Sequence, residues 1–351
     1  MAVALACPDK FRGTLTAADA AEALARGLEA AEIDRWRFDE VRRLPLADGG
    51  EGTLDALMAS QGGSRRRATV TGPLGDRVEA EWGVLPDGTA VVESAGASGL
   101  ALLSGPNDPL AATSRGTGEL IRAAVRGGAR RIVVAVGGSA MTDGGLGAVD
   151  ALGWSLAGLD VTVACDVTTP FLDAARVYGP QKGATGAQVA LLTRRLERLA
   201  EVYRQRTSTD VAVLAHAGAA GGLAGGLAAL GARLEPGFDV VARAAGFEAA
   251  LEGVDLVVTG EGRFDRTSLE GKVSGEVLAW AATEGVKHSA VVAGQVAEEL
   301  KGADADPALE DVLVLSLVDR VWQAGEAWAR AGLLVEEAGV EVGRWALERL
   351  A

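Results

Sequence analysis

The stretch Arg130–Gly153, RRIVVAVGGSAMTDGGLGAVDALG, decides how this chain is read. Five apolar residues, Ile132 to Val136, make a run of the length of a buried strand. Gly137, Gly138 and Ser139 then open a turn, and Asp143-Gly144-Gly145 precedes a helical pattern. A glycine-rich turn behind a strand offers backbone N–H groups to an anion. Yet the string is neither a lysine-bearing phosphate loop nor a dinucleotide fingerprint. It carries an aspartate instead.

Outward from this stretch the strand–turn–helix plan recurs. VALACPDKF runs from a strand into a polar turn, and Thr16 is placed to cap a helix over Ala17–Ala30, with Asp19 three residues on. VRRLPLADGGEGT repeats the plan, with Asp48-Gly49-Gly50-Glu51 ahead of a helix from Thr53 to Ser60. From Arg67 the texture changes to alternating apolar and polar residues with Pro-Leu-Gly and Pro-Asp-Gly turns, which predicts an antiparallel meander. Further strands are expected at Val161–Cys165, Val211–Ala215, Val254–Thr259, Ser289–Ala293 and Val312–Leu317. The first two and last three strands then form a five-stranded parallel α/β domain, residues 1–66 and 241–351. A mixed-sheet α/β domain, residues 67–240, is inserted between them.

Composition narrows the function. The formal net charge of −14 argues against nucleic acid or an anionic membrane as a partner. No segment approaches the length of a membrane-spanning helix, no basic cleavable leader is legible, and Cys7 and Cys165 are expected as reduced thiols, so a cytoplasmic protein is expected. Of 34 basic residues only five are lysine, and three of these, Lys10, Lys182 and Lys272, lie in glycine-containing polar strings. Lysine is a compact point charge suited to phosphate oxygens, so these three are candidates for handling phosphate.

Several motifs sit at the carboxyl ends of the expected parallel strands, where open α/β sheets bind ligands. A cleft between the two domains would collect Asp48, Glu51, Asp143, Asp166, Glu261 and Asp265 with Lys10, Arg12, Lys182 and Lys272. Carboxylates, cations and glycine turns together suit phosphoryl transfer from a metal-bound nucleotide. Asp48 is the expected proton acceptor, with Asp265 second. Asp143 and Asp166 are expected to serve Mg²⁺, and Gly49, Gly50, Gly137, Gly138 and Ser139 to admit substrate or phosphate. GEGRFD, one residue short of a dinucleotide fingerprint, leaves an NAD-dependent hydroxy-acid oxidoreductase as the alternative, beside a kinase of another small hydroxy acid.

The ordered set PDKFRGTLTAADAAEALARGL, PLADGGEGT, GTGELI, VGGSAMTDGGLG, ACDV, YGPQKGAT, GAAGGLAGGL and DLVVTGEGRFDRTSLEGKVSGEVL resembles the bacterial glycerate kinases of the glycerate 2-kinase type. The resemblance runs from Ala4 to Leu317. It implies an ATP- and Mg²⁺-dependent kinase that converts D-glycerate to 2-phosphoglycerate. It also implies a flavodoxin-like parallel domain interrupted by a second α/β domain. Three departures stand out. Many relatives resemble PDSFKGSL where this chain has Lys10 and Arg12, Met141-Thr142 replaces a frequent Thr-Asn, and the tail after Asp319 carries no family motif and reads as closing helices.

Overall fold

A computed structural model describes residues 2–301 and 306–351. Among these residues eleven strands form two sheets. They are β1 (Val3–Ala6), β2 (Glu40–Arg43), β3 (Ser64–Thr71), β4 (Arg77–Val84), β5 (Ala90–Glu93), β6 (Arg131–Ala135), β7 (Asp160–Cys165), β8 (Arg233–Pro236), β9 (Leu256–Phe264), β10 (His288–Val296) and β11 (Val312–Ser316). The described chain divides into two compact units. One comprises residues 1–48, 55–60 and 241–351, the other residues 49–54 and 61–240.

The first unit holds the sheet β11-β10-β9-β1-β2, parallel throughout. Counted along this unit's own strands the order is 2-1-3-4-5, the flavodoxin-like winding. The strand order reverses between β1 and β9, the point beyond whose carboxyl ends doubly wound sheets bind ligands. Helix Ala17–Ala30 covers one face. Its cap is the one read from sequence: Thr16 Oγ1 accepts from Asp19 N–H at 3.1 Å and donates to the Asp19 carboxylate at 2.7 Å. Helix Ala331–Leu350 packs beside it, joining Leu24, Leu28, Leu334, Val335, Val342 and Ala346 in one apolar core.

The second unit holds the mixed sheet β3-β4-β5-β6-β7-β8. β3, β4 and β5 form the expected antiparallel meander, and β5 to β8 run parallel. One expectation fails here. Val211–Ala215 is not a strand: Val211–Val213 is a single 3₁₀ turn, capped by Asp210, whose carboxylate accepts from Ala212 N–H at 3.1 Å. Val213 is 76% exposed, so this run never reaches the sheet. The last strand is instead β8, whose polar residues and terminal proline suit the sheet edge it occupies. Cys7 and Cys165 are both buried and unpaired, and burial pushes both thiols up, so neither is a reactive thiolate. No helix among the described residues is long and apolar enough to cross a membrane.

Candidate active site

In the first unit β1 and β9 stay paired past the formal end of β1. Cys7 N–H donates to Val258 O and Asp9 N–H to Gly260 O, both at 2.8 Å. This ladder carries Asp9 to the point where the strand order reverses. Glu261 lies within β9, next to that point, and Asp48 follows β2. Asp9 Oδ1 accepts the backbone N–H of Lys10 at 2.7 Å and lies 4.0 Å from Lys10 Nζ. Burial, and after it the charges of Asp48 and Glu261, push the Asp9 carboxyl up to about 7 against the pull of Lys10. Its side chain nevertheless keeps 17% of its surface accessible. Glu261 is more deeply buried and is also pushed up, chiefly by burial. The nearby Ser268 and Ser274 hydroxyls temper that shift, but neither closes a good hydrogen bond to its Oε1, which is left without a partner.

GEGRFD is not a turn at all. Gly260, Glu261 and Gly262 are interior residues of β9, still paired with β10. A Cβ at Gly260 would fall 2.1 Å from Val292 O, so this glycine serves close strand packing. A dinucleotide fingerprint needs a strand–turn–helix junction, which is missing here, and the oxidoreductase alternative loses its motif.

Beyond β9 the chain closes on itself. Asp265 caps the short turn Arg266–Leu269, accepting from Thr267 N–H at 3.0 Å and Thr267 Oγ1 at 2.6 Å, with Arg263 Nε 3.3 Å from its other oxygen. The Thr267 hydroxyl, with Lys272 and Arg263, holds this carboxyl below the usual range. A carboxylate so well solvated by donors is a poor proton acceptor. Lys272 donates to Thr267 Oγ1 at 2.8 Å and stands at the start of helix Val273–Thr283. Arg12 is exposed.

In the second unit two of the glycine turns meet. Val136 N–H donates to Gly49 O at 3.1 Å, and a Cβ at Gly137 would lie 2.7 Å from Gly50 Cα. Gly49 adopts φ +85°, and its own Cβ would lie 2.7 Å from Gly237 Cα. Glu51 thus sits beside the Gly137–Ser139 turn. Lys182 anchors the far side of that turn, donating to Ser139 Oγ at 2.8 Å and to Met141 O at 2.6 Å. It is only 4% exposed, and burial lowers its amine to about 7 although Asp143 opposes the shift.

Asp143 is engaged by its own surroundings. Oδ2 accepts from Ser114 N–H and Ser114 Oγ at 2.8 Å and from Gly147 N–H at 3.2 Å, and Oδ1 accepts from Gly145 N–H at 3.0 Å. Asp166 is exposed beyond β7. His216, whose Nδ1 is 2.7 Å from Val167 O, and His288, set edge-to-face against Trp345, are structural. Sequence reading missed Asp9, where attention went to the adjacent lysine, and Asn107. The Asn107 amide donates to Ala140 O and Lys182 O, both at 2.9 Å, leaving its own buried oxygen without a partner.

The burial of Lys182 decides what arginine would do in its place. A guanidinium is larger and cannot shed its proton, so Lys182→Arg should lower the melting temperature by roughly 3–6 °C in calorimetry. Between pH 7 and 10.5 the folded state binds fewer protons at this amine than the unfolded chain, so wild-type stability gains with rising pH in that window. Lys182→Met, with no proton to lose, should lack that gain. An identical pH dependence in the two proteins would refute the buried neutral amine.

The sequence profile of the Glycerate kinase family matches residues 4–160 and 154–347. The chain belongs to the glycerate kinase family. It is 41% identical over 302 residues to glycerate 2-kinase of Escherichia coli K12, covering 76% of this chain and 78% of that one. It is 40% identical over 301 residues to glycerate kinase of Bacillus subtilis, with coverage of 76% and 78%. A crystal structure of a chain assigned as glycerate kinase 2 from Salmonella typhimurium LT2 superposes with a TM-score of 0.82 at 32% identity, covering 99% of each chain. This glycerate kinase is therefore an α/β enzyme that phosphorylates glycerate, built from a five-stranded parallel sheet and a six-stranded mixed one.

Proposed function

We propose that the enzyme transfers the γ-phosphoryl group of ATP to the 2-hydroxyl of D-glycerate, giving 2-phosphoglycerate. The observation that carries this reading is the carboxylate group Asp9, Asp48 and Glu261 at the strand-order reversal. Asp9 and Glu261 offer a raised proton affinity there, where a hydroxyl nucleophile must lose its proton. Arg12, an exposed fork, suits the carboxylate of glycerate, and Lys10 balances charge beside the reacting hydroxyl. Lys272, at a helix start where the helix dipole favours anions, is assigned to the phosphates. The Gly137–Ser139 turn is assigned to the same task, with Lys182 holding its shape from behind.

Magnesium, when bound, would neutralise charge on the transferring phosphoryl group. Among the described residues no three His, Cys, Asp or Glu side chains converge as a metal cage. That fits Mg²⁺, which is commonly held by one or two carboxylates together with substrate phosphates. Asp143 fits poorly as a direct ligand, since its two oxygens already accept five hydrogen bonds, and is assigned instead to holding the turn. Asp166 is the better candidate to hold the ion.

Incubation with ATP, Mg²⁺ and D-glycerate, read by ³¹P NMR, should show 2-phosphoglycerate and ADP in equal amounts. Formation of 3-phosphoglycerate would refute the assigned position. Equal turnover with other small hydroxy acids would refute the assigned acceptor.

A further inference from the structure

We propose that Asp9 is the group that takes the proton from the attacking hydroxyl, in place of Asp48 or Asp265. Asp9 stands at the reversal point between β1 and β9, and its backbone is fixed there by the hydrogen bond to Gly260 O. Its Oδ1 is occupied by the Lys10 N–H, whereas Oδ2 accepts no hydrogen bond from the described residues. One oxygen therefore orients the carboxylate and the other faces an incoming donor. The group is reachable, with 17% of its side chain accessible, whereas Glu261 is 9% exposed.

The charged groups facing Asp9 are Lys10 from its own loop, Asp48 from the loop after β2 and Glu261 from β9. Two of these three are negative. Burial first, and then these two negative charges against the pull of Lys10, raise the proton affinity of Asp9 into the range where it can accept a proton near neutrality and release it again. Asp265 is tuned the opposite way by Thr267, Lys272 and Arg263. Asp48 then acts as a positioning residue through its charge.

The step balances as follows. The O–H bond of the glycerate 2-hydroxyl breaks and its proton goes to Asp9 Oδ2. The oxygen forms a bond to the γ-phosphorus as the bridging P–O bond breaks, its electron pair leaving with ADP. The proton passes to solvent after product departs.

This assignment rests on the proposed glycerate phosphorylation, and the test separates the two. Wild type is first shown by ³¹P NMR to make 2-phosphoglycerate; failure there sinks the proposed reaction, not the base. Rates are then followed against pH for wild type, Asp9→Asn and Glu261→Gln, with melting temperature and ATP binding measured for each. Wild-type kcat should rise with pH through an acid limb near 7. Asp9→Asn should lose ~100-fold or more in kcat, keep its affinity for ATP, and show no acid limb. Glu261→Gln removes a negative neighbour and should keep the limb but displace it downward in pH. Near-normal turnover by Asp9→Asn would overturn the assignment. So would an acid limb unmoved in Glu261→Gln, which is readable even if Asp9→Asn misfolds.

Discussion

Gly221→Ala is expected to destabilise the second unit by about 3–5 kcal/mol and to abolish turnover. Ala220, Gly221 and Gly222 are three successive left-handed residues at the start of the Ala219–Ala229 segment, with φ of 53°, 67° and 91°. Any Cβ at 221 is strained by that backbone and would also lie 2.2 Å from Met141 O and 2.7 Å from Thr142 Cα. Those atoms belong to the loop that Lys182 holds through Met141 O. Relief of the clash must displace the loop, and with it the turn at Gly137–Ser139. Gly153→Ala is the control: its φ is +66°, but nothing lies within 4 Å of the new Cβ, so strain alone should cost about 1–2 kcal/mol. Equal losses in denaturant titrations of the two variants would show that the contact with Met141 does not matter.

The second large effect concerns the first unit. Helix propensity alone says that Gly27→Ala should stabilise by up to ~1 kcal/mol. Packing says otherwise, because a Cβ there would fall 2.1 Å from Glu336 O and 2.8 Å from Gly339 Cα on helix Ala331–Leu350. Gly339 and Gly343 face helix Ala17–Ala30 with similarly tight approaches, 2.7 Å to Leu24 O and 2.5 Å to Ala31 Cβ. A backbone carbonyl cannot rotate aside, so the helices must separate along a contact sealed by three glycines. The expected net loss is about 3 kcal/mol, or roughly 6–12 °C in melting temperature. Gly332→Ala, whose new Cβ would meet only Leu15 at 3.8 Å, should be neutral or stabilising. If Gly27→Ala melts at or above wild type, the two helices are not held by close backbone approach.

These glycines also mark the limit of sequence reading. The parallel sheet was legible because its strands other than β2, whose residues are Glu40-Val41-Arg42-Arg43, each contain an apolar run, a signal local to each element. The closing helix was legible as a helix, but its partner was not, since nothing in residues 331–350 names residues 17–30. Val211–Ala215 misled because a short apolar run fits a strand as well as a turn. β8 escaped notice because its charged residues suit an edge, where Arg233 pairs with Asp160 at 2.6 Å.

The site divides in the same way. Scarcity of lysine drew attention to Lys182 but could not show that Ser139 and Met141 enclose it. Asp265 read as the second candidate for proton acceptor, and only the folded turn reveals Thr267 and Lys272 around it. Asp9 is unusual because the fold first buries it and then brings the charges of residues 48 and 261 towards it, neither of which any window of sequence contains.

The meeting of Gly49 and Gly237 bears on the order in which the chain can fold. β1 must find β9, a pairing that joins Ala4 to Leu256 across most of the sequence. Closing so long a loop from the unfolded chain is slow and entropically unfavourable. Residues 61–240 contain their own sheet and emerge from the ribosome before β9 exists. Once they fold, the backbones at Gly49 and Gly237 are already in contact, and the effective loop between Ala6 and Leu256 shortens about fourfold, to the flanks before Gly49 and after Gly237. On loop-entropy scaling this preparation removes about 1 kcal/mol from the cost of docking β9 onto β1. The inserted unit then acts as an internal folding scaffold for the sheet that surrounds it in sequence.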